Sequence, residues 1–250
     1  MEASQKPIHV ARRAIILAAG LGERLRPITD RTPKPLIMVN GKRIIDTAID
    51  ALLENNITEI YIVVGHLKER FSVLKEKYPT LRFINNAFYS SCNNIASLYA
   101  AREHLEECVI LDGDQIIRNP TIFASPFFRS GYCSAWTDIE TNEWLQTVED
   151  GVVTSCNREG GKKGWQLFSV SFWTAEDGKK LKGHLEKEFE IKKTTHIYWD
   201  DVVMFCYPEE YQLGIRPITK EDIVEIDTLE ELMKSDPKYK ALLEGKEKGK

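Results

Sequence analysis

The stretch Leu17 to Leu36, LAAGLGERLRPITDRTPKPL, constrains this chain more than any other part of it. It continues the apolar run Ala14-Ile15-Ile16-Leu17-Ala18, which is closed by Gly20 and has the make-up of a buried parallel strand. Such a strand followed by a glycine-bearing loop lets backbone N–H groups approach an anion closely. Gly20 and Gly22 supply that freedom here, with Leu17, Ala18 and Ala19 leading into the turn. Arg24 and Lys34 bracket the loop with two cations suited to a triphosphate, one a planar fork and the other a point charge. Pro27, Pro33 and Pro35 restrict the backbone that carries them. The loop is not a Walker A sequence, which needs G-x-x-x-x-G-K-[ST]. Nor is it a dinucleotide fingerprint, because Leu25 stands where a third Gly or Ala belongs. The G-x-G spacing alone fits a plain tight turn equally well.

Beyond the loop, helical periodicity runs from Arg43 to Asn55, and Glu59 to Val64 reads as a strand. A helix over Leu67 to Tyr78 is stopped by Pro79. Leu81 to Ile84 is a third strand, Ile95 to Leu105 a third helix and Cys108 to Leu111 a fourth strand. This alternation predicts an α/β domain whose parallel sheet is covered on both faces. After about Gln115 shorter strand-like pieces follow (Gly131 to Thr137, Trp144 to Val148, Gln166 to Trp173), joined by a glycine-rich loop from Asn157 to Gly164. We read this second half as continuous with the same sheet. Residues 229–250 read as a helix and a charged tail.

Carboxylates gather at two points. Leu111-Asp112-Gly113-Asp114 closes the fourth strand, at the edge where open α/β sheets bind ligands, and alternation puts Asp112 and Asp114 on one face. Hard oxygen ligands at such a place suit Mg²⁺, which keeps several waters and bridges substrate phosphates. Glu225-Ile226-Asp227 forms the second cluster. For Asp227 a metal-binding role competes with a helix N-cap before Thr228-Leu229-Glu230. The histidines (His9, His66, His104, His184, His196) show no spacing that suggests a catalytic triad.

The segment Ser91-Cys92-Asn93-Asn94-Ile95-Ala96-Ser97 is rich in amides and hydroxyls ahead of a helix, and Asn93, Asn94 and Ser97 can cap that helix or read a pyrimidine edge. In the second half, aromatic and acidic residues recur together: Trp136, Glu143, Trp144, and then Tyr198-Trp199-Asp200-Asp201. Large aromatics are core residues by default, but rings beside carboxylates are also the combination that binds an ammonium group.

The string G-x-G-x-R-L-x-P, followed by P-K-P-L, resembles the opening loop of the nucleotidyltransferases that activate sugar phosphates and phosphocholine. The strings T-N-E-W (141–144), S-F-W (171–173) and Y-W-D (198–200) resemble segments of the bacterial CTP:phosphocholine cytidylyltransferases. The resemblance runs from about residue 13 to 235. It implies a three-layer, Rossmann-like nucleotidyltransferase fold with a mixed, mainly parallel central sheet. It also implies Mg²⁺ as cofactor, with Asp114 and Asp227 as metal ligands and Arg24 and Lys34 as the catalytic cations. The nucleotide would lie on Leu17, Ala18, Ala19, Gly20, Gly22, Asn93, Asn94, Ser97 and Asp112. The acceptor would lie against Trp136, Glu143, Trp144, Tyr198, Trp199 and Asp200. The expected reaction moves CMP from CTP to phosphocholine, with release of pyrophosphate. 2-Aminoethylphosphonate is the alternative acceptor, a sugar 1-phosphate a more remote one, and a silent nucleotide-binding regulatory subunit the non-enzymatic reading. Relatives of this kind can be fused to a pathway enzyme, here beyond the C-terminus.

The domain plan expected is therefore an extension over 1–12 and one domain over 13–235, with a nucleotide half at 13–115 and an acceptor half at 116–235. A charged tail or linker would occupy 236–250. A net charge of −4 argues against a nucleic-acid partner. Five scattered cysteines without a C-x-x-C pair, a polar start and no apolar run of membrane-spanning length lead to the expectation of a cytoplasmic protein away from the membrane.

Overall fold

The computed structural model describes residues 8–241. In chain order the elements are β1 (Arg13–Ala18), β2 (Met38–Val39), β3 (Lys42–Arg43), α1 (Ile44–Glu54), β4 (Glu59–Val64), α2 (Leu74–Lys77), β5 (Arg82–Asn85), α3 (Ile95–Ala100), β6 (Cys108–Asp112) and β7 (Gln115–Ile117). The second half adds β8 (Gly131–Thr137), β9 (Leu145–Glu149), β10 (Val152–Asn157), β11 (Gly164–Trp173), α4 (Ala175–Glu186), α5 (Trp199–Asp201), β12 (Gly214–Ile218), β13 (Ile223–Glu225) and α6 (Leu229–Ser235).

Nine strands form one sheet. β6, β1, β4 and β5 lie side by side and parallel. β11 pairs antiparallel with β6 through Val170 to Trp173, with β8 over Gly164 to Leu167 and again at Ser171 and Phe172, and with β9 at Trp165 and Gln166, while β12 runs parallel to β8. Strands of the second half of the chain are thus part of the same sheet as those of the first half.

Alternation along β1 builds the three layers. Ala14, Ile16 and Ala18 pack on one face with Ile45, Ile49 and Leu52 of α1. Ile15, Leu17 and Ala19 pack on the other with Ile95 and Leu98 of α3 and Leu181 and Leu185 of α4. Three expected helices are shorter or more irregular than their periodicity suggests. Lys68–Val73 winds as a 3₁₀ helix before α2, Arg102–His104 does so after α3, and α6 ends at Ser235.

Two expected boundaries are corrected. Residues 8–12 are not a free extension: His9 bridges Phe127 and Ala11 is buried. The tail does not begin at 236, because Tyr239 packs with Leu25 and Ile37 and its hydroxyl donates to the Met38 carbonyl at 2.7 Å. The rest of the expected tail, 242–250, lies outside the described residues.

Candidate active site

The loop after β1 turns at Gly22, whose φ of 63° favours glycine. Thr29 Oγ1 donates to the Gly22 carbonyl at 2.8 Å, and a Cβ on Gly22 would meet Thr29 Cγ2 at 2.8 Å. One 3₁₀ turn, Glu23–Leu25, carries Arg24 and another, Lys34–Leu36, carries Lys34. Both turns are anchored from below, since Leu25 and Ile37 are buried with Ile226 and Leu232. Between them opens a cavity of about 390 Å³, walled by Leu17, Ala18, Gly20, Gly22, Arg24, Lys34, Asp114 and Asp227 among others. A Cβ added at Gly20 would meet no atom within 4 Å. Gly20 is part of the cavity wall, so the fold leaves open space there.

At the mouth of this cavity charges of opposite sign are interleaved. Lys34 Nζ lies 2.6 Å from Asp114 Oδ2 and 2.6 Å from Asp227 Oδ1, and Arg24 Nη2 lies 3.0 Å from Asp227 Oδ1. Burial alone would lower the Lys34 pKa, but the two carboxylates outweigh it and hold the ammonium above its ordinary range. Burial likewise works against the Asp227 carboxylate, yet Lys34 and Arg24 keep it below the usual value. Asp227 is not the helix cap. Thr228 caps α6, with its hydroxyl accepting from the Glu231 N–H, which leaves the Asp227 carboxylate to the site.

Two carboxylates converging on one cationic centre are a donor set that fits a hard divalent ion shared with phosphate oxygens. Among the described residues no group of three or more His, Cys, Asp or Glu could hold a metal without such help.

A second cavity of about 340 Å³ adjoins the first and shares Leu17, Gly20, Arg24, Tyr89 and Asp114 with it. Ala19, Asn93, Asn94, Ser97 and Asp112 line it. No side chain caps the α3 N-terminus. Asn94 Oδ1 accepts from the Trp199 N–H at 2.9 Å, and Asn86 Nδ2 donates to Ser97 Oγ at 3.0 Å. Tyr89, which the sequence reading missed, reaches the wall because Gly65 makes room for it: a Cβ there would meet Tyr89 Cβ at 2.6 Å.

A third cavity of about 210 Å³ continues past Asn94 and Asp112, and its walls include Glu143, Trp144, Ser169, Tyr198, Asp200 and Glu225. Burial pushes Asp200 up to about 7, with Asp201 adding to the effect and the Tyr132 hydroxyl easing it. Burial, reinforced by Asp114, pushes Glu225 up to about 7. Burial and the neighbouring Asp114, Asp200 and Glu225 raise Asp112 well above the carboxylate range. Arg158, from the glycine-rich loop, lies 3.6 Å from the Phe205 ring centre and donates from Nε to Asp201 Oδ1 at 2.8 Å.

Two expected acceptor residues are not in this cavity. Trp199 is 1% exposed and packs between Tyr132 and Trp173, so it belongs to the core. Successive residues of a helical turn point in different directions, and here Tyr198 faces out while Trp199 faces in. Trp136 lies against Trp165 and lines none of the three cavities. Every other residue expected to bind nucleotide, acceptor or metal lines at least one of them. Tyr89 is among the additions, and Glu225, noted from the sequence only as part of an acidic cluster, joins the third cavity.

Adjoining cavities therefore run from a cationic glycine loop, past two amides and Asp112, into an acidic chamber lined also by Trp144 and Tyr198. The nucleotidyl transferase family matches this chain over residues 13–127. A 2-aminoethylphosphonate cytidylyltransferase of Lancefieldella rimae is 36% identical over 232 residues, covering 92% of this chain and 94% of that protein. A choline-phosphate cytidylyltransferase of Streptococcus pneumoniae is 36% identical over 230 residues, covering 90% of this chain and 99% of that protein. The solved structure of the CTP:phosphocholine cytidylyltransferase of S. pneumoniae has the same fold, with a TM-score of 0.83 at 37% identity over 89% of this chain and 96% of that one.

Proposed function

Since the chain belongs to the nucleotidyl transferase family, and within it to the cytidylyltransferases, we propose the following work for its site. The enzyme moves CMP from CTP to phosphocholine or a similar small amine-bearing phosphate or phosphonate. An acceptor oxygen attacks the α-phosphorus in line, the bond to the β-phosphate oxygen breaks, and pyrophosphate leaves with the electron pair. No covalent bond to protein is needed, so the residues act by positioning and by stabilising charge.

The triphosphate occupies the loop cavity, with Gly20 and Gly22 allowing the backbone close to it. Arg24 and Lys34 counter the charge that builds on the α-phosphate and the departing pyrophosphate. Asp114 and Asp227 hold Mg²⁺, which when bound supplies Lewis-acid stabilisation to the phosphate oxygens. Asn93, Asn94 and Ser97 face the cytosine and ribose, with Asp112 at the border of the acceptor chamber. Glu143, Trp144, Tyr198 and Asp200 receive the amine-bearing end of the acceptor.

The observation that carries this reading is the Lys34 ammonium gripped between Asp114 and Asp227 beside an acidic chamber. Four acids, Asp112, Glu143, Asp200 and Glu225, line the chamber, which favours an acceptor that carries positive charge over a neutral sugar. The cytoplasm, where nucleoside triphosphates are held and thiols stay reduced, fits the five free cysteines. Among the described residues no helix is long and apolar enough to cross a membrane.

The test is pyrophosphate release with CTP and Mg²⁺ across phosphocholine, phosphoethanolamine, 2-aminoethylphosphonate and glucose 1-phosphate. Turnover with an amine-bearing acceptor is expected. Turnover with glucose 1-phosphate alone, or with none of the four, would overturn the reading.

A further inference from the structure

We propose that Asp200 makes the acceptor chamber selective for a head group that carries N–H donors, so that a primary ammonium is preferred over a trimethylammonium. This rests on the cytidylyltransferase reading above and ranks the acceptors within it.

Asp200 is 6% exposed and lines the third cavity, and neither its Oδ1 nor the nearby Tyr132 hydroxyl has a hydrogen-bond partner within bonding geometry. Buried polar atoms are nearly always partnered, and an orphan on the wall of a substrate cavity marks a donor that arrives with the ligand. The carboxylates of Asp112, Glu143 and Glu225 line the same chamber. Among the described residues the ion pairs leave all four of these acids without a basic partner. The chamber therefore gathers acids with no base among them, and a ligand that brings both positive charge and N–H donors favours their ionised, accepting form. A primary ammonium brings three N–H groups; a trimethylammonium brings the charge and none.

A quaternary head group is held differently, on the faces of several aromatic rings. The chamber does not offer that enclosure. Of the rings expected there, Trp199 is in the core and Trp136 is elsewhere. Trp144 and Tyr198 remain, and they meet edge to face at 89°. Trp144 already has the Arg158 guanidinium 5.8 Å from its ring centre. The unpartnered Asp200 oxygen and the few free ring faces point to the same ligand chemistry. Sites built to bond substrate N–H groups discriminate against analogues lacking them far more than apolar pockets discriminate by size.

The experiment measures kcat/KM for pyrophosphate release at saturating CTP and Mg²⁺ across phosphoethanolamine and its N-methyl, N,N-dimethyl and N,N,N-trimethyl homologues, the last being phosphocholine. The expected result is a fall along the series, at least about tenfold from first to last. A flat series, or one that rises toward phosphocholine, overturns the proposal. Asp200→Asn keeps the shape and removes the charge. It should lower kcat/KM for phosphoethanolamine by at least about tenfold and flatten the series, with the KM for CTP unchanged. An undiminished slope in that variant assigns the selectivity to other residues and overturns the role given to Asp200. If the variant does not fold, the parent series decides alone. Absence of turnover with every member, CTP being present, rejects the cytidylyltransferase reading itself and is distinct from a flat series.

Discussion

Lys34 and Asp227 meet across 193 residues of chain, Nζ to Oδ1 at 2.6 Å, and Asp114 closes on the same nitrogen from a third segment. One ammonium thereby ties the glycine loop to the ends of β6 and β13. Lys34→Ala removes the cation proposed to counter the charge on the phosphates and leaves Asp114 and Asp227 without the ammonium between them. It should lower kcat by about 10²–10³-fold while the acceptor KM changes little. Steady-state kinetics with CTP and an amine-bearing acceptor would show this, and an unchanged kcat would remove Lys34 from the transition state.

Asp114→Ala should be as damaging for a different reason, because it takes away a hard oxygen at the cationic centre. Turnover in Mg²⁺ should fall by at least about 10²-fold. Near-normal rates at ordinary Mg²⁺ concentrations would exclude Asp114 as a ligand.

Tyr198 and Trp199 are adjacent and should behave as opposites. Trp199→Ala opens a hole between Tyr132 and Trp173 and should cost about 3–5 kcal/mol in denaturant unfolding, harming all activities together. Tyr198, half exposed, should cost under about 1 kcal/mol when changed to Ala, as surface substitutions do, while raising the acceptor KM and sparing that for CTP. A selective acceptor defect in Trp199→Ala would contradict its place in the core.

That pair also shows where sequence reading reaches and where it stops. The loop from Leu17 to Leu36 was legible because its cations, glycines and prolines are contiguous. The carboxylates were legible too, because strand alternation is a local rule. What the string Tyr-Trp-Asp-Asp does not reveal is which ring turns outward, since that depends on a one-turn helix held by Asn94 and by Asp201, whose Oδ2 accepts from the Tyr198 N–H at 2.8 Å. Glu225 entered the chamber unannounced for a similar reason. It is brought there by β13 pairing with β7, opposite Gln115 and 110 residues away in sequence. Tyr89 depends on space left by Gly65, which has no signature of its own.

The acids of the chamber should leave a mark on stability against pH. Folded Asp200, at about 7, holds a proton that the unfolded chain gives up near 4. The folded state therefore gains from Asp200 at low pH and loses that gain as pH rises toward 7. Asp200→Asn has no such proton to lose. Its stability relative to the parent should rise by about 2 kcal/mol between pH 5 and pH 7, measured by urea unfolding without ligands. A constant difference, or one of opposite sign, would show that Asp200 is ionised throughout.

At Gly20, fold and chemistry are written on different sides of the same backbone. Nothing in the folded chain contests the space where its side chain would grow. A larger residue there would grow into open space beside the cavity that the proposed reading gives to triphosphate. On that reading a single codon change at this position would separate a working enzyme from a well-formed decoy. Such a decoy would pass every test of folding and fail only when asked to bind its nucleotide.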